Sequence, residues 1–300
     1  MKVIEVRDLR KNYGDVTAVN NISFSADKGQ LIGFLGVNGA GKSTTINMMY
    51  TMLTPTSGFI QICGHDVRKD SREVRRDIGI VYQNNVLDDL LSVRENLICR
   101  GVLHGLSRRK ADARLRELCS LFSIEQLLSK KYRTLSGGQK RRCEIAAALM
   151  HTPEILFLDE PTTGLDPAAR FEVWEMVKDL QEKTNMTVFL TTHYMEEAAK
   201  ADKIIIISKG SIIAEGKPHE LKEKYAFDRL KIYCGQEQKA KFAEKLAGYE
   251  YSDESYGIRV KLGSSHDAIP LLGSMSGYDG FEVIRGTLDD VFLNITKEGK

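Results

Sequence analysis

Residues 31–47, LIGFLGVNGAGKSTTIN, constrain this chain more than any other stretch. The apolar run 31–35 reads as a strand, and it meets Gly36-Val37-Asn38-Gly39-Ala40-Gly41-Lys42-Ser43, after which 43–53 reads as a helix. This is the G-x-x-x-x-G-K-[ST] pattern with a strand before it and a helix after it. Glycines let the backbone wrap closely around a polyphosphate, the loop N–H groups and helix N-terminus face the anion, and Lys42 adds a full positive charge. Ser43 is placed to offer its hydroxyl to Mg²⁺. The pattern predicts an α/β fold that grips a nucleotide polyphosphate.

Composition narrows the class. A chain of 300 residues with 42% hydrophobic content supports one large or two moderate domains with a real core. Its 43 Lys+Arg against 41 Asp+Glu give a formal charge of +2, so the bulk balance points to neither nucleic acid nor an anionic surface. The five cysteines, Cys63, Cys99, Cys119, Cys143 and Cys234, form no C-x-x-C pair and no His-Cys cluster at metal spacing. They read as small apolar residues suited to a reducing cytosol. The amino terminus alternates apolar and polar residues, as a strand does, and lacks a signal-peptide core. No apolar run approaches the length of a membrane helix.

Along the chain, VIEVRDL and NISFSA read as antiparallel strands bracketing a turn with the exposed aromatic Tyr13. TPTSG at 54–58 is breaker chemistry, and a strand at 59–63, a charged stretch at 68–77 and a strand at 78–82 follow. Gln83 ends that last strand, where a glutamine is equally a surface cap. Ser92-Val93-Arg94-Glu95 is a capping-box match opening a helix to about 104. Residues 107–122 read as an amphipathic helix with apolar Ala111, Leu115, Leu118, Leu121 and Phe122. Leu135-Ser136-Gly137-Gly138-Gln139 opens a further helix, placing free N–H groups and a hydroxyl at a positive dipole end. On its own, such a turn is also an ordinary helix cap.

ILFLDE at 155–160 reads as a buried strand with Asp159 and Glu160 at its carboxyl end, where open α/β sheets place ligands. Buried carboxylates are expensive, so a metal ion or protonated water network is the natural compensation; Asp159 is assigned to Mg²⁺ and Glu160 to the attacking water. TGLDP at 163–167 turns into a helix over 168–182, and a strand over 187–190 ends in Thr191-Thr192-His193. A hairpin across Lys209-Gly210 and a helix to about 225 follow. Residues 227–300 read as a separate α+β unit in the order β-α-β-β-α-β, a ferredoxin-like pattern with a terminal helix.

Taken together, these stretches resemble the nucleotide-binding subunits of ATP-binding-cassette (ABC) transporters over residues 1–226, with LSGGQ at 135–139 as the family's signature sequence. The resemblance implies a P-loop NTPase cassette: a RecA-like core, an antiparallel β subdomain and a helical subdomain inserted at about 84–150. It implies that Tyr13 stacks on adenine and that Gly36, Asn38, Gly39, Gly41, Lys42, Ser43 and Thr44 hold the nucleotide. It gives Ser43 and Asp159 to Mg²⁺, Gln83 to Mg²⁺ or the attacking water and to sensing the transmembrane partner, and Glu160 the role of general base. His193 becomes the γ-phosphate contact, and Asp166 the loop that communicates across a dimer. Two cassettes pair head to tail in this family, so Ser136, Gly137, Gly138 and Gln139 of one meet the ATP held by the other. Mechanistically, this is phosphoryl transfer to water, driven by positioning and charge stabilisation.

The closing TLDDVFLNIT at 287–296, and Thr163-Gly164-Leu165-Asp166 in place of Ser-Ala-Leu-Asp, resemble cassettes that serve ABC-2-type exporters of drugs, antibiotics and sodium. The expected partners are a permease on a separate chain and a second cassette, identical or paralogous, with no nucleic acid and no structural metal. The expected location is the cytoplasmic side of the cell membrane, peripheral through the permease. The competing reading, a soluble cassette ATPase acting on ribosomes or DNA, expects a second cassette with a basic linker or a long coiled coil.

Overall fold

A computed structural model describes residues 1–298. The chain forms two compact units, Met1–Glu215 and Gly216–Lys300.

The first unit opens with a long hairpin of β1 (Lys2–Tyr13) and β2 (Val16–Asp27), then β3 (Leu31–Leu35), the glycine loop and α1 (Lys42–Met49). Strands β4 (Ser57–Ile62) and β5 (His65–Asp66) return to the hairpin, giving an antiparallel sheet of order β2-β1-β4-β5. Helix α2 (Ser71–Asp77) leads into β6 (Ile78–Val81). Helices α3 (Val93–Leu103), α4 (Arg108–Phe122) and α5 (Gly137–Ala148) are inserted before β7 (Ile155–Asp159). The unit closes with α6 (Pro167–Thr184), β8 (Thr187–Thr192), α7 (Met195–Ala198), β9 (Lys203–Ser208) and β10 (Ser211–Gly216).

The second sheet has the order β10-β9-β3-β8-β7-β6, and β9, β3, β8, β7 and β6 pair in parallel. Every residue of β3 and of β8 is buried, as a parallel sheet covered on both faces requires. Aromatic rings run through the core in a chain: Phe24 and Phe34 at 5.7 Å, Phe34 and Phe189 at 5.6 Å, Phe189 and Phe157 at 5.5 Å, Phe157 and Tyr50 at 5.1 Å. This chain links the antiparallel layer, through Phe24, to the strands that end at the glycine loop and at Asp159.

The sequence pattern and the structure differ in places, each with a local cause. Helix α1 stops at Met49 because Thr51 adopts a left-handed backbone, φ 65°, ahead of the TPTSG breaker. The charged stretch 68–77 holds α2, whose single buried residue, Val74, leaves too faint an apolar periodicity to read. On α4 the structure buries Cys119 and leaves Leu121 half-buried. Burial pushes the Cys63 and Cys143 thiols up to about 12, which leaves them as protonated core groups at neutral pH.

The second unit contains α8 (Pro218–Tyr225), β11 (Asp228–Tyr233), α9 (Gln236–Lys245), β12 (Tyr251–Glu254), β13 (Gly257–Leu262), α10 (Ala268–Gly273), β14 (Gly280–Ile284) and α11 (Leu288–Glu298). Its sheet is antiparallel with order β12-β13-β11-β14, the arrangement of a split βαβ motif. The compact units divide before α8, not after it at 226. Helix α8 packs on α11, and Asn294 Nδ2 donates to the Tyr225 carbonyl at 2.8 Å.

Phe189 sits at the centre of the aromatic chain and is fully buried. Phe189→Ala is expected to lower the unfolding free energy by about 3–5 kcal/mol. A urea titration followed by the fluorescence of Trp174, the chain's one tryptophan and a buried residue of α6, reads the larger unit directly.

Candidate nucleotide site

The glycine loop leaves the end of β3 and is wedged between β2 and the β9–β10 turn. A Cβ on Gly36 would lie 2.5 Å from the Ile207 carbonyl oxygen, and one on Gly41, where φ is 105°, 2.6 Å from that of Ala18. Close backbone approach at both, and a left-handed conformation at Gly41, exclude side chains at these two positions. The Gly210 N–H donates to the Ala40 carbonyl at 2.9 Å, which ties the loop to the β9–β10 turn. Lys42 is only 5% exposed, and its Nζ donates to the Gly36 carbonyl at 2.7 Å. The ammonium thus lies inside the ring of backbone that carries the loop N–H groups.

The Glu160 carboxylate is the meeting point of the site. Its Oε2 accepts from Gln83 Nε2 at 3.2 Å and from Thr163 Oγ1 at 3.1 Å, and its Oε1 lies 3.6 Å from Lys42 Nζ. His193 Nδ1 lies 3.3 Å from Oε2, without hydrogen-bond alignment. The backbone of Glu160 is left-handed, φ 44°, and its N–H donates to the Thr191 carbonyl at 3.1 Å and to Thr191 Oγ1 at 3.0 Å. Such strain in a non-glycine residue at the end of a buried strand is held by surrounding contacts and is common where chemistry occurs.

Five chain segments therefore meet at one cavity of about 480 Å³: β2, the glycine loop with α1, the loop after β6, the turn after β7 and the residue after β8. Of the residues named for the site from the sequence, Asn38, Gly39, Gly41, Lys42, Ser43, Thr44, Gln83, Glu160 and His193 line it, and Gly36 and Asp159 do not. Ala18, Val37 and Thr163 line it too and were not foreseen. Tyr13 does not line it: the ring is half exposed at the end of β1, with Lys11 Nζ 5.2 Å from its centroid.

The signature turn lies elsewhere. Ser136 to Gln139 and Asp166 line a second cavity of about 350 Å³ that shares no residue with the first. Ser136 caps α5 in a capping box with Gln139, and Asp166 caps α6 by accepting from the Ala168 and Ala169 N–H groups at 3.0 Å. In one chain the two phosphate-suited elements face different spaces.

The protein itself supplies partners for both acids. Thr191 Oγ1 donates to Asp159 Oδ1, and Gln83, Thr163 and Lys42 serve Glu160. The Thr191 contact could have been suspected only from the Thr191-Thr192 pair at the end of an otherwise apolar strand. Burial nevertheless holds the Asp159 carboxyl above the usual carboxylate range, against the Thr191 hydroxyl that lowers it and with the Glu160 charge that raises it. The set Ser43 hydroxyl, Gln83 amide oxygen and Asp159 carboxylate fits a hard cation that takes oxygen ligands, and the ion's charge would relieve the strain on Asp159. Among the described residues no cluster of three or more His, Cys, Asp and Glu is arranged to hold a metal.

Comparison with known proteins gives a consistent result. Residues 19–163 match the ABC transporter family. The chain is 38% identical over 297 residues to the Nod factor export ATP-binding protein I of Burkholderia lata, covering 98% of this chain and 96% of that protein. It is 38% identical over 306 residues to the daunorubicin resistance ATP-binding protein DrrA3 of Streptomyces coeruleorubidus, covering 99% and 96%. Among solved structures it is similar to cbiO1 of Clostridium perfringens, part of the ABC transporter complex cbiONQ, with a TM-score of 0.69 and 31% identity over 73% of this chain and 90% of that one. It is also similar to a dimeric ATP-binding cassette bound to ADP and Pi in a post-hydrolysis state, with a TM-score of 0.64 and 29% identity over 71% and 98%.

The raised Asp159 pKa has a stability consequence with a definite sign. The folded chain holds the Asp159 proton more tightly than the unfolded chain does, so this group's contribution is full below the ordinary carboxylate pKa and is lost as pH rises through the raised one. Above that raised pKa the ionised group works against folding. Asp159→Asn is therefore expected to raise the melting temperature of the nucleotide-free chain at pH 7.5 while lowering ATP turnover. The stabilisation should shrink toward pH 4, as thermal unfolding at the two pH values would show.

Proposed function

The chain belongs to the ABC transporter family, and on that premise we propose that it is the ATP-hydrolysing subunit of an ABC-2-type exporter, coupling ATP turnover to efflux through a separate permease. The observation that carries this reading is the convergence of Lys42, Gln83, Glu160 and His193 in one cavity at the carboxyl ends of parallel strands. The relatives named for Nod factor export and daunorubicin resistance match nearly the whole chain, including its second unit, and support export. The ribosome or DNA alternative gains nothing: α3, α4 and α5 are three short helices, and the relatives above are named for Nod factor export and daunorubicin resistance. Among the described residues no helix is long and apolar enough to cross a membrane.

ATP binds with its phosphates along the glycine loop and Lys42. Glu160, held between Gln83 and Thr163, takes the proton of the attacking water, and His193 contacts the γ-phosphate. Ser43, Gln83 and Asp159 would hold Mg²⁺, which supplies charge neutralisation at the phosphates when bound. The exposed ring of Tyr13 is given to adenine stacking, an assignment that requires the base to extend beyond the lined cavity. The cavity at Ser136 to Gln139 is completed by the nucleotide of a second cassette, so that ATP favours the closed pair and hydrolysis releases it. The first compact unit is the functional cassette and the second, α8 included, an accessory unit, on the cytoplasmic face of the membrane.

Glu160→Gln keeps the shape of the site and removes the base, so ATP binding should persist while turnover falls by at least ~100-fold. Nucleotide binding followed by fluorescence and phosphate release measured on the same protein test this, and near-normal release would remove Glu160 as the base. Ser136→Arg should leave nucleotide binding to the monomer intact but prevent pairing. Light scattering with ATP, in the Glu160→Gln background, separates the two effects.

A further inference from the structure

The segment that carries Gln83 has no backbone support of its own. Among the described residues, no backbone-to-backbone hydrogen bond reaches residues 83–88. Buried polar side chains hold it instead. Arg141 on α5 donates from Nη1 to the Tyr82 carbonyl at 2.7 Å and from Nη2 to the Gln83 carbonyl at 3.1 Å. Glu144, on the same helix face three residues on, accepts at Oε1 from the Val86 N–H at 2.8 Å and the Leu87 N–H at 3.1 Å. The same oxygen accepts from the Tyr132 hydroxyl at 2.8 Å. Asn96 on α3 brackets Asp88, accepting from its N–H at 2.8 Å and donating to its carbonyl at 2.9 Å.

Arg141 and Glu144 are 4% and 3% exposed, and buried charges are costly unless fully paired. Apolar residues at these two helix positions would fill the space without that cost. What the charged pair adds is direction, since a fork of guanidinium N–H groups and a carboxylate oxygen fix the carbonyls and amides of one specific backbone path. The helix that carries them begins at the signature turn, with Ser136 as its cap. The Gln83 segment and the turn that meets a partner's nucleotide are thus fastened to the same rigid element.

We propose that Arg141 and Glu144 are positioning residues that set Gln83 against Glu160 and oblige the Gln83 segment to move with the signature helix. This rests on the reading of Gln83 and Glu160 as parts of the ATPase site. Their effect on turnover passes through Gln83, and neither residue is part of the phosphate-binding cavity.

A double-mutant cycle on the full-length chain tests it, with ATP turnover and nucleotide affinity measured for Gln83→Ala, Glu144→Ala, Arg141→Lys and the pairs. Each single variant should lower kcat by about tenfold or more, because misplacement of a reacting group by about 1 Å already costs up to ~100-fold, while Glu144→Ala and Arg141→Lys, outside the cavity, should still bind nucleotide. Adding Glu144→Ala or Arg141→Lys to Gln83→Ala should cost no further rate, whereas multiplicative losses would overturn the proposal. Glu144→Gln keeps an oxygen acceptor and should recover most of the rate; it also serves in the cycle if Glu144→Ala does not fold. Amide exchange at Val86 and Leu87 should speed up in Glu144→Ala or, failing that, in Arg141→Lys, and unchanged exchange would likewise overturn it. If Gln83→Ala alone left turnover intact, the assignment of Gln83 to the site would fail, a result distinct from additivity in the cycle.

Discussion

The proposed site turns on one carboxylate held in place at the end of a buried strand. Glu160 is presented by a strained backbone and gripped by Gln83 and Thr163 through hydrogen bonds and by Lys42 through charge. Each of those partners comes from a different part of the chain, so the carboxylate samples the positions of the glycine loop, the helical insertion and the following turn at once. A parallel sheet makes this possible, because consecutive strands all deliver their carboxyl ends to the same edge. The aromatic chain from Phe24 to Tyr50 keeps the strand ends in register.

The second constraint is that the chain separates its two phosphate-suited elements. The glycine loop faces one cavity and Ser136 to Gln139 another, with no lining residue in common. A helix start with free N–H groups gains most from an anion placed directly before it. A single copy satisfies the Ser136 turn only by capping itself with Gln139. Pairing with a second cassette would replace that internal cap with a bound nucleotide, and the Arg141–Glu144 clamp would carry the resulting movement to Gln83. At Asp159 burial disfavours the charge that the proposed metal contact would call for.

How much of this could be read from residues alone depends on range. The strand–loop–helix at 31–47, the acids ending β7 and the Ser92 capping box are written in contiguous residues, and the structure places each where the pattern does. The clamp is invisible at that range: Arg141 and Glu144 sit in a helix read only as a continuation of LSGGQ, nearly sixty residues from the segment they hold. The spacing of apolar residues likewise could not show that Thr191 serves both Asp159 and the Glu160 backbone, because a threonine in a buried strand looks like any β-branched residue. Tyr13 shows the reverse limit, since its place in the motif order is clear while its distance from the cavity is set by the hairpin's tertiary packing. Helix α8 joined the second unit because it packs on α11, a contact that no local signal announces.

The composite site is tested most directly by measuring ATP turnover per chain as the chain is diluted at saturating ATP. A site completed by a second copy predicts that turnover per chain falls as pairs dissociate and is restored by raising the concentration. Turnover per chain that stays constant at every dilution would mean that one copy holds a complete site, and would contradict it.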